Sequence, residues 1–282
     1  MTRILILTPV LNGATFLDAA IDSVRKQNHT NWRQIVLDAG STDGSQDLVK
    51  IHAASDPRVI LHEEKDQGMY DAICRGFDRE ARGFDVLAWL NADDLYTPWA
   101  FSEVEREFGK GALWITGLPG IWDTEGRLRG VLPRGRVLRK DILAGHHHDG
   151  FLGAIQQESV FFSAELFNNL SFAERRIFTS QRLAGDFFLW KCFAQRCELL
   201  TIPSVLGGFR IHSANRSRVF ASAYQKEIVE TGAMSPKCSL FLKVMRHIRN
   251  IRAATEAIKA FEKASLELIL EVGGEGENEK LD

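Results

Sequence analysis

Four short apolar runs, separated by stretches of helical periodicity, occupy the first hundred residues of this chain and leave it few possible folds. Residues 3–8 (Arg3-Ile4-Leu5-Ile6-Leu7-Thr8), 34–37, 58–62 and 85–90 read as strands, and the first is as continuously apolar as strands buried on both faces are. Between the first two, Phe16, Leu17, Ala20, Ile21 and Val24 recur at helical spacing, with Thr15 and Asp18 placed to form a capping box. Further helices are expected over residues 46–54 and 69–80. This β-α-β-α-β-α-β order predicts an α/β fold, with a mostly parallel central sheet, right-handed crossovers and flanking helices.

Beyond residue 95 the signal is less regular. A helix is expected over residues 98–108, with Pro98 suited to its first turn, and a strand over 112–116. Residues 117–150 are rich in Gly, Arg and His and read as a loop-heavy insertion containing a strand-like piece at 127–132. Strands are expected at 159–163, 199–202 and 206–211, and a helix at 186–193. The main domain is therefore placed at 1–218, with halves 1–116 and 117–218, followed by a helical extension over 219–272. The Gly- and Glu-rich stretch 273–282 is expected to be disordered.

Composition removes several classes. Of the 282 residues, 45% are hydrophobic and 26% charged, which allows the sizeable core of a soluble enzyme. A net charge of −2 argues against nucleic acid as a partner. Cys74, Cys192, Cys197 and Cys238 form no CxxC pair, which fits a reducing compartment and offers no zinc site. The apolar run after Met1 is too short for a signal-peptide core, and no run approaches the length of a membrane-spanning helix. A cytoplasmic location is expected, with peripheral contact at the inner face of the cell membrane.

The chemistry concentrates at strand ends. The run Val86-Leu87-Ala88-Trp89-Leu90-Asn91-Ala92 stops at two adjacent carboxylates, Asp93 and Asp94. Adjacent carboxylates repel each other and are best tolerated beside a cation, and hard oxygen ligands suit Mg²⁺ or Mn²⁺ with phosphate oxygens completing the shell. A solvated turn with Asp94 as a helix cap is the plainer alternative. In an open α/β sheet, ligands bind at the carboxyl ends of strands. Four polar loops lie there: residues 8–13, 38–45, 66–71 and 91–94. Asp38 is suited to accept from the imide or amino groups of a nucleobase. Neither a GxGxxG after the first strand nor a GxxxxGK[ST] is present, so dinucleotide and P-loop readings lose their main support.

Taken in order, Thr8-Pro9-Val10-Leu11-Asn12, Val36-Leu37-Asp38-Ala39-Gly40-Ser41-Thr42-Asp43-Gly44-Ser45, Asp66-Gln67-Gly68-Met69-Tyr70-Asp71-Ala72-Ile73 and Trp89-Leu90-Asn91-Ala92-Asp93-Asp94 resemble glycosyltransferase family 2. That resemblance implies the GT-A fold and an inverting, nucleotide-sugar-dependent transferase of the kind found in polysaccharide and cell-envelope biosynthesis. It implies that Thr8, Pro9 and Asp38 hold the nucleobase and ribose of a UDP-, GDP- or dTDP-sugar, and that Asp71 lies near the sugar diphosphate. Asn91-Ala92-Asp93 stands at the family's Asp-x-Asp position, which makes Asp93 the ligand of Mn²⁺ or Mg²⁺. Two departures are visible: Asn91 replaces the first Asp of that motif, and Ala39 replaces the second Asp of the Asp-Asp-Gly-Ser loop.

In the second half, Gly185-Asp186-Phe187-Phe188-Leu189-Trp190 is similar to the family's element carrying the general base, which points to Asp186, with Glu158 as its rival. Gly185 stands where the family has an acidic residue. Phe209-Arg210-Ile211-His212 resembles a late family motif, so Arg210 is expected at the diphosphate and His212 at the diphosphate or metal. His146-His147-His148-Asp149 is expected to be a solvated acceptor loop, since adjacent side chains point in different directions. Residues 237–262 place Phe241, Val244, Met245, Ile248 and Ile251 on one side and Lys243, Arg246, Arg249 and Arg252 on another. Such a helix suits a membrane surface, hence a lipid-linked saccharide acceptor, or a homodimer. A sugar-phosphate nucleotidyltransferase and a non-catalytic carbohydrate-binding or scaffold protein are the rival readings.

Overall fold

Alternate residues of the first strand serve two different cores, and this organises the molecule. The computed structural model describes residues 1–232 except 133, 149–151 and 216–218, together with 244, 248, 251 and 255. Strand β1 (Ile4–Val10) sends Leu5 and Leu7 to one face of the sheet and Ile4 and Ile6 to the other, all fully buried. It lies between two parallel neighbours, β2 (Trp32–Asp38) and β4 (Val86–Trp89), and β2 pairs in parallel with β3 (Val59–Glu63). The chain thus runs outward from β1 to β3 and returns to β4 on the other side of β1, so the strand order reverses between β1 and β4. That is the crevice in which an open α/β sheet binds ligands.

Helices α1 (Ala14–Arg25), α2 (Ser45–Ser55) and α4 (Ala100–Gly109) cover the face that carries Ile4 and Ile6. Helix α3 (Met69–Glu80) covers the other, and its Gly76 passes so close to β1 that a Cβ there would stand 2.8 Å from Leu7. The large sheet is completed by β6 (Trp114–Thr116), β9 (Val160–Ser163) and β10 (Leu200–Thr201) in the order β10-β6-β9-β4-β1-β2-β3, with β9 antiparallel to both neighbours. The mostly parallel α/β sheet expected from the sequence is therefore present.

The stretch 117–150 is more structured than its composition implies. Strands β7 (Gly120–Trp122) and β8 (Leu128–Val131) join β5 (Leu95–Tyr96) and β11 (Gly207–Arg210) in a second sheet of order β5-β11-β7-β8. Its glycines are steric requirements. A Cβ on Gly207 would stand 2.3 Å from the Glu158 carbonyl, and one on Gly208 2.4 Å from the Trp122 ring nitrogen. Helices α5 (Arg139–Leu143), α6 (Ala164–Asn168), α7 (Phe172–Ser180), α8 (Gly185–Ala194) and α9 (Ala221–Glu230) follow.

Three local expectations are corrected. The Thr15–Asp18 capping box does not form; the amides of Gly13 and Ala14 are bound by Ser45 Oγ and Asp43 Oδ2 from the next loop, and Asp18 pairs with His52 at 2.8 Å. Pro98 precedes α4, whose flanking residue is Trp99, instead of lying in its first turn. His147 and His148 are buried instead of solvated, with amide-to-carbonyl bonds running from Leu152 to His146 and from Gly153 to His148, while Asp149 lies outside the described residues. No helix among the described residues is long and apolar enough to cross a membrane. The 237–262 stretch lies outside the described residues except for Val244, Ile248, Ile251 and Thr255; these are helical, and all four are exposed.

Candidate active site

The β1–α1 and β2–α2 loops are bound into one unit at the carboxyl end of the sheet. Asn12 adopts the left-handed conformation (φ 56°), which lets its side-chain oxygen accept from the Thr42 amide at 2.9 Å while its own amide donates to Ser41 Oγ at 2.8 Å. Asp38 ends β2 inside this unit. Its Oδ1 accepts from the amides of Gly40 and Ser41, both at 2.9 Å, and from Gln46 Nε2 at 2.7 Å. Burial opposes ionisation of Asp38, but the Ser41 and Gln46 hydrogen bonds outweigh it and hold the carboxyl below its usual range. Its Oδ2 is buried without a hydrogen-bond partner, an anionic acceptor left open. Thr8, by contrast, is sealed in the sheet and accepts from Gln34 Nε2 at 2.9 Å, and Pro9 beside it is partly buried.

The tip after β4 separates its two carboxylates. Asp94 is fully buried, accepting from the Arg210 amide at 2.9 Å and from Asn91 Nδ2 at 3.0 Å. Burial first, then the charge of Glu158, pushes its carboxyl well above the usual range. Asp93, beyond partly buried Ala92, is more open and meets His212 Nε2 with Oδ2 at 2.9 Å. Asn91 also donates to Gln157 Oε1 at 3.3 Å, which leaves its own Oδ1 buried without a partner. This donor set fits a hard divalent cation. One carboxylate and one imidazole leave most of a shell for phosphate oxygens and water, which Mg²⁺ and Mn²⁺ favour. Among the described residues no cluster of three or more His, Cys, Asp or Glu side chains offers an all-protein site.

Arg210 supplies the opposite charge. It ends β11, is 2% exposed, and its guanidinium lies over the Phe16 ring at 4.7 Å. Nε and Nη2 are buried without hydrogen-bond partners. Burial depresses its affinity for a proton, and the charges of Asp94 and Asp93 counter that effect. Unsatisfied donors on a buried cation are costly unless an anion receives them. Asn215 fixes the segment by donating to the Arg210 carbonyl at 3.0 Å and accepting from the His212 amide at 2.8 Å.

The candidate bases lie across the crevice. Asp186, in the first turn of α8, receives the Tyr70 hydroxyl at 3.4 Å. Burial raises its carboxyl to about 6, against the pull of the Phe187 amide and the Tyr70 hydroxyl. Glu158, in the 3-10 turn Gln157–Ser159, is raised to about 7, again chiefly by burial, with the charges of Asp186 and Asp93 adding to it. Glu158 thus experiences both flanks, which sets Asp186, Glu158 and Asp93 in one electrostatic environment. Gly185 has no room for an acidic side chain, since a Cβ would stand 2.7 Å from the Tyr70 ring. Asp71 turns inward: its Oδ2 accepts from the Gln67 amide at 3.0 Å and from Arg75 Nη1 at 3.1 Å, steadying the β3–α3 loop. Sequence reasoning passed over Gln46, Tyr70, Gln157 and Asn215, whose roles depend on partners distant in the chain; Phe16 was read as a core position of α1.

Residues 5–140 match the family described as Glycosyl transferase family 2. A "PGL/p-HBAD biosynthesis glycosyltransferase" of Mycobacterium bovis is 39% identical over 107 residues, 37% of this chain and 41% of the relative, so the match spans less than half of that protein's length. Among solved structures, S. aureus TarS 1-349 in complex with UDP-GlcNAc aligns with a TM-score of 0.60 at 11% identity, covering 82% of this chain and 66% of that one. The mannosyltransferase PcManGT from Pyrobaculum calidifontis, in complex with GDP-Man and Mn²⁺, aligns with a TM-score of 0.58 at 16% identity, covering 96% and 79%. At such identities the structural likeness establishes the fold, which is GT-A.

Proposed function

This chain is a family 2 glycosyltransferase, and from that premise we propose that it transfers one sugar, with inversion, from a nucleoside-diphosphate sugar to a hydroxyl of a saccharide acceptor. The observation that carries the reading is the buried Arg210 guanidinium, with two unpartnered donors, beside the Asp93–His212 pair at the strand-order switch. A cation and a metal-ligating pair at one crevice suit a diphosphate. The open Oδ2 of Asp38 suits the N–H edge of a base such as uracil or guanine, whereas the Thr8 hydroxyl is taken up by Gln34 within the sheet.

In this reading Asp93 and His212 hold Mn²⁺ or Mg²⁺, which when bound neutralises charge building on the departing diphosphate. Arg210 donates to the same phosphates, and its burial makes that interaction stronger than it would be in water. Asp186 takes the proton of the acceptor hydroxyl as that oxygen bonds to the anomeric carbon and the bond from that carbon to the phosphate oxygen breaks. A base near 6 is ionised at neutral pH and still able to hold the proton it takes. Glu158 suits the role less well, because its carboxyl is buried and engaged by a hydrogen bond with that of Asp94, which leaves it less free to take a proton from the acceptor. The family match favours sugar transfer over nucleotidyl transfer, and Asp93, Asp186 and Arg210 argue for catalysis over a binding scaffold.

A calorimetric screen of UDP-, GDP- and dTDP-sugars with and without Mn²⁺ tests the donor. Metal-dependent binding of one nucleotide class is expected; binding of none, in either condition, contradicts the reading. A lipid-linked acceptor and contact with a membrane through residues 237–262 belong to the same proposal. Flotation with anionic liposomes, lost when the chain is cut after residue 234, is the result expected of it.

A further inference from the structure

Helix α9 lies more than eighty residues beyond the matched family segment, yet it holds the loop that ends at Asp186. One carboxylate, that of Glu227, accepts three consecutive backbone amides: Arg182 at 2.8 Å, Leu183 at 3.1 Å and Ala184 at 3.1 Å, all on Oε1, with Leu183 also reaching Oε2 at 3.1 Å. Helix α8 has no side-chain cap of its own, so these bonds fix the residues leading into its first turn. Ile228, the next residue of α9, is fully buried against Ala184 and Phe187, on either side of Asp186 in sequence. One turn further on, just past the C-terminal end of α9, Lys191 of α8 donates to the carbonyls of Thr231 and Gly232, each at 3.0 Å. The C-terminal end of α9 is therefore tied both to the loop before α8 and to α8 itself.

The same loop is held from the donor side. The Tyr70 hydroxyl donates to the Leu183 carbonyl at 3.1 Å as well as contacting Asp186, and Arg182 donates to the Gln67 carbonyl in the β3–α3 loop. The geometry points to Glu227 as a positioning residue for the base: by gathering the amides of residues 182–184, it sets where the Asp186 carboxylate stands relative to the crevice. This rests on the reading of Asp186 as base and adds to it a dependence on α9. The titratable groups around Asp186 are Tyr70 of α3, Glu227 of α9 and Glu158 of the 3-10 turn, with Tyr224 of α9 facing Tyr70. The charge of Glu227 raises the Asp186 carboxyl, so it also influences the pH at which the base is ready.

The full chain is compared with Glu227→Gln, which keeps an acceptor oxygen but loses the charge, with Glu227→Ala, which loses both, and with Asp186→Asn. Thermal unfolding reports whether each variant is folded. Carboxyl-carbon NMR titration of Asp186 in the unliganded protein requires neither donor nor acceptor, and in Glu227→Gln the titration is expected to move lower. Nucleoside diphosphate release from UDP-N-acetylglucosamine or GDP-mannose, whichever binds in the presence of Mn²⁺, with water taking the sugar and giving its proton to the base, gives the kinetic arm. Glu227→Ala is expected to lose about 10- to 100-fold in kcat while donor Kd stays within about twofold, as displacement of a catalytic group produces. An unchanged Asp186 titration in Glu227→Gln together with unchanged kcat in Glu227→Ala overturns the positioning role. If Asp186→Asn is inactive in that case, the base assignment stands without it; turnover retained in Asp186→Asn overturns both.

Discussion

The two flanks of the crevice are held in opposite ways. On the donor side, Ser41, Asp43 and Ser45 of one loop bind the amides of Asn12, Gly13 and Ala14 in another, all within about thirty residues of each other along the chain. The loop that carries Asp186 depends on distant partners instead: Glu227 lies 44 residues from Leu183, and Tyr70 lies 113 residues from it. The two nucleotide-side loops are thus organised by the first α/β units alone, while the diphosphate end also takes Arg210 and His212 from far along the chain. The base side forms only when α3, α8 and α9 have come together. Substitutions should therefore separate into those that weaken binding and those that slow transfer.

The largest effect is expected on the base side. Asp186→Asn should lower kcat by about 10²- to 10⁴-fold, the range ascribed to a positioned general base, with donor Kd unchanged by calorimetry. In the unaltered protein the rate should rise with pH through about 6 as Asp186 ionises; a limb near 7 would favour Glu158. On the donor side, Arg210→Ala should weaken donor binding by about 10- to 100-fold, the worth of charge-assisted hydrogen bonds to phosphate. Equal affinity in that variant would place the diphosphate elsewhere. Gly185→Ala should cost about 1–3 kcal/mol in thermal unfolding, because the added Cβ meets the Tyr70 ring at 2.7 Å, while donor affinity survives.

The smallest effect concerns Glu158. Its carboxyl lies near 7 in the folded chain and near 4.5 as an ordinary glutamate, so between those values the folded state holds more protons than the unfolded one. Stability is fully present below about pH 4.5 and declines as pH rises through about 7. Glu158→Gln should therefore raise the Tm of the metal-free protein at pH 8 and change it little at pH 4.5. A gain of equal size at both values would show that packing, and not ionisation, is responsible.

The sheet was legible because each early strand is an uninterrupted apolar run, and the polar loops follow those runs directly. The division of labour at the tip was legible only in part. That Asp93 faces outward and Asp94 inward is fixed by the Arg210 amide, 116 residues away in the chain. The absence of an acidic side chain at position 185 was visible but unexplained until the Tyr70 ring was seen against its Cα. Local rules failed where another loop supplied the same bonds, as at Thr15 and Asp18, and where a polar stretch is buried, as at His147 and His148. Glu227 gave no signal at all: in sequence it is one charged residue of an ordinary helix.

The pair formed by Asp93 and His212 is where a metal ion would join the nucleotide to the protein. Electron paramagnetic resonance of free Mn²⁺, titrated with the protein in the presence of UDP or GDP, tests it directly. The account predicts that the free-ion signal is depleted by the unaltered chain in a nucleotide-dependent manner and is largely restored in Asp93→Ala. Equal depletion by both proteins, or none by either with any nucleoside diphosphate, would contradict it.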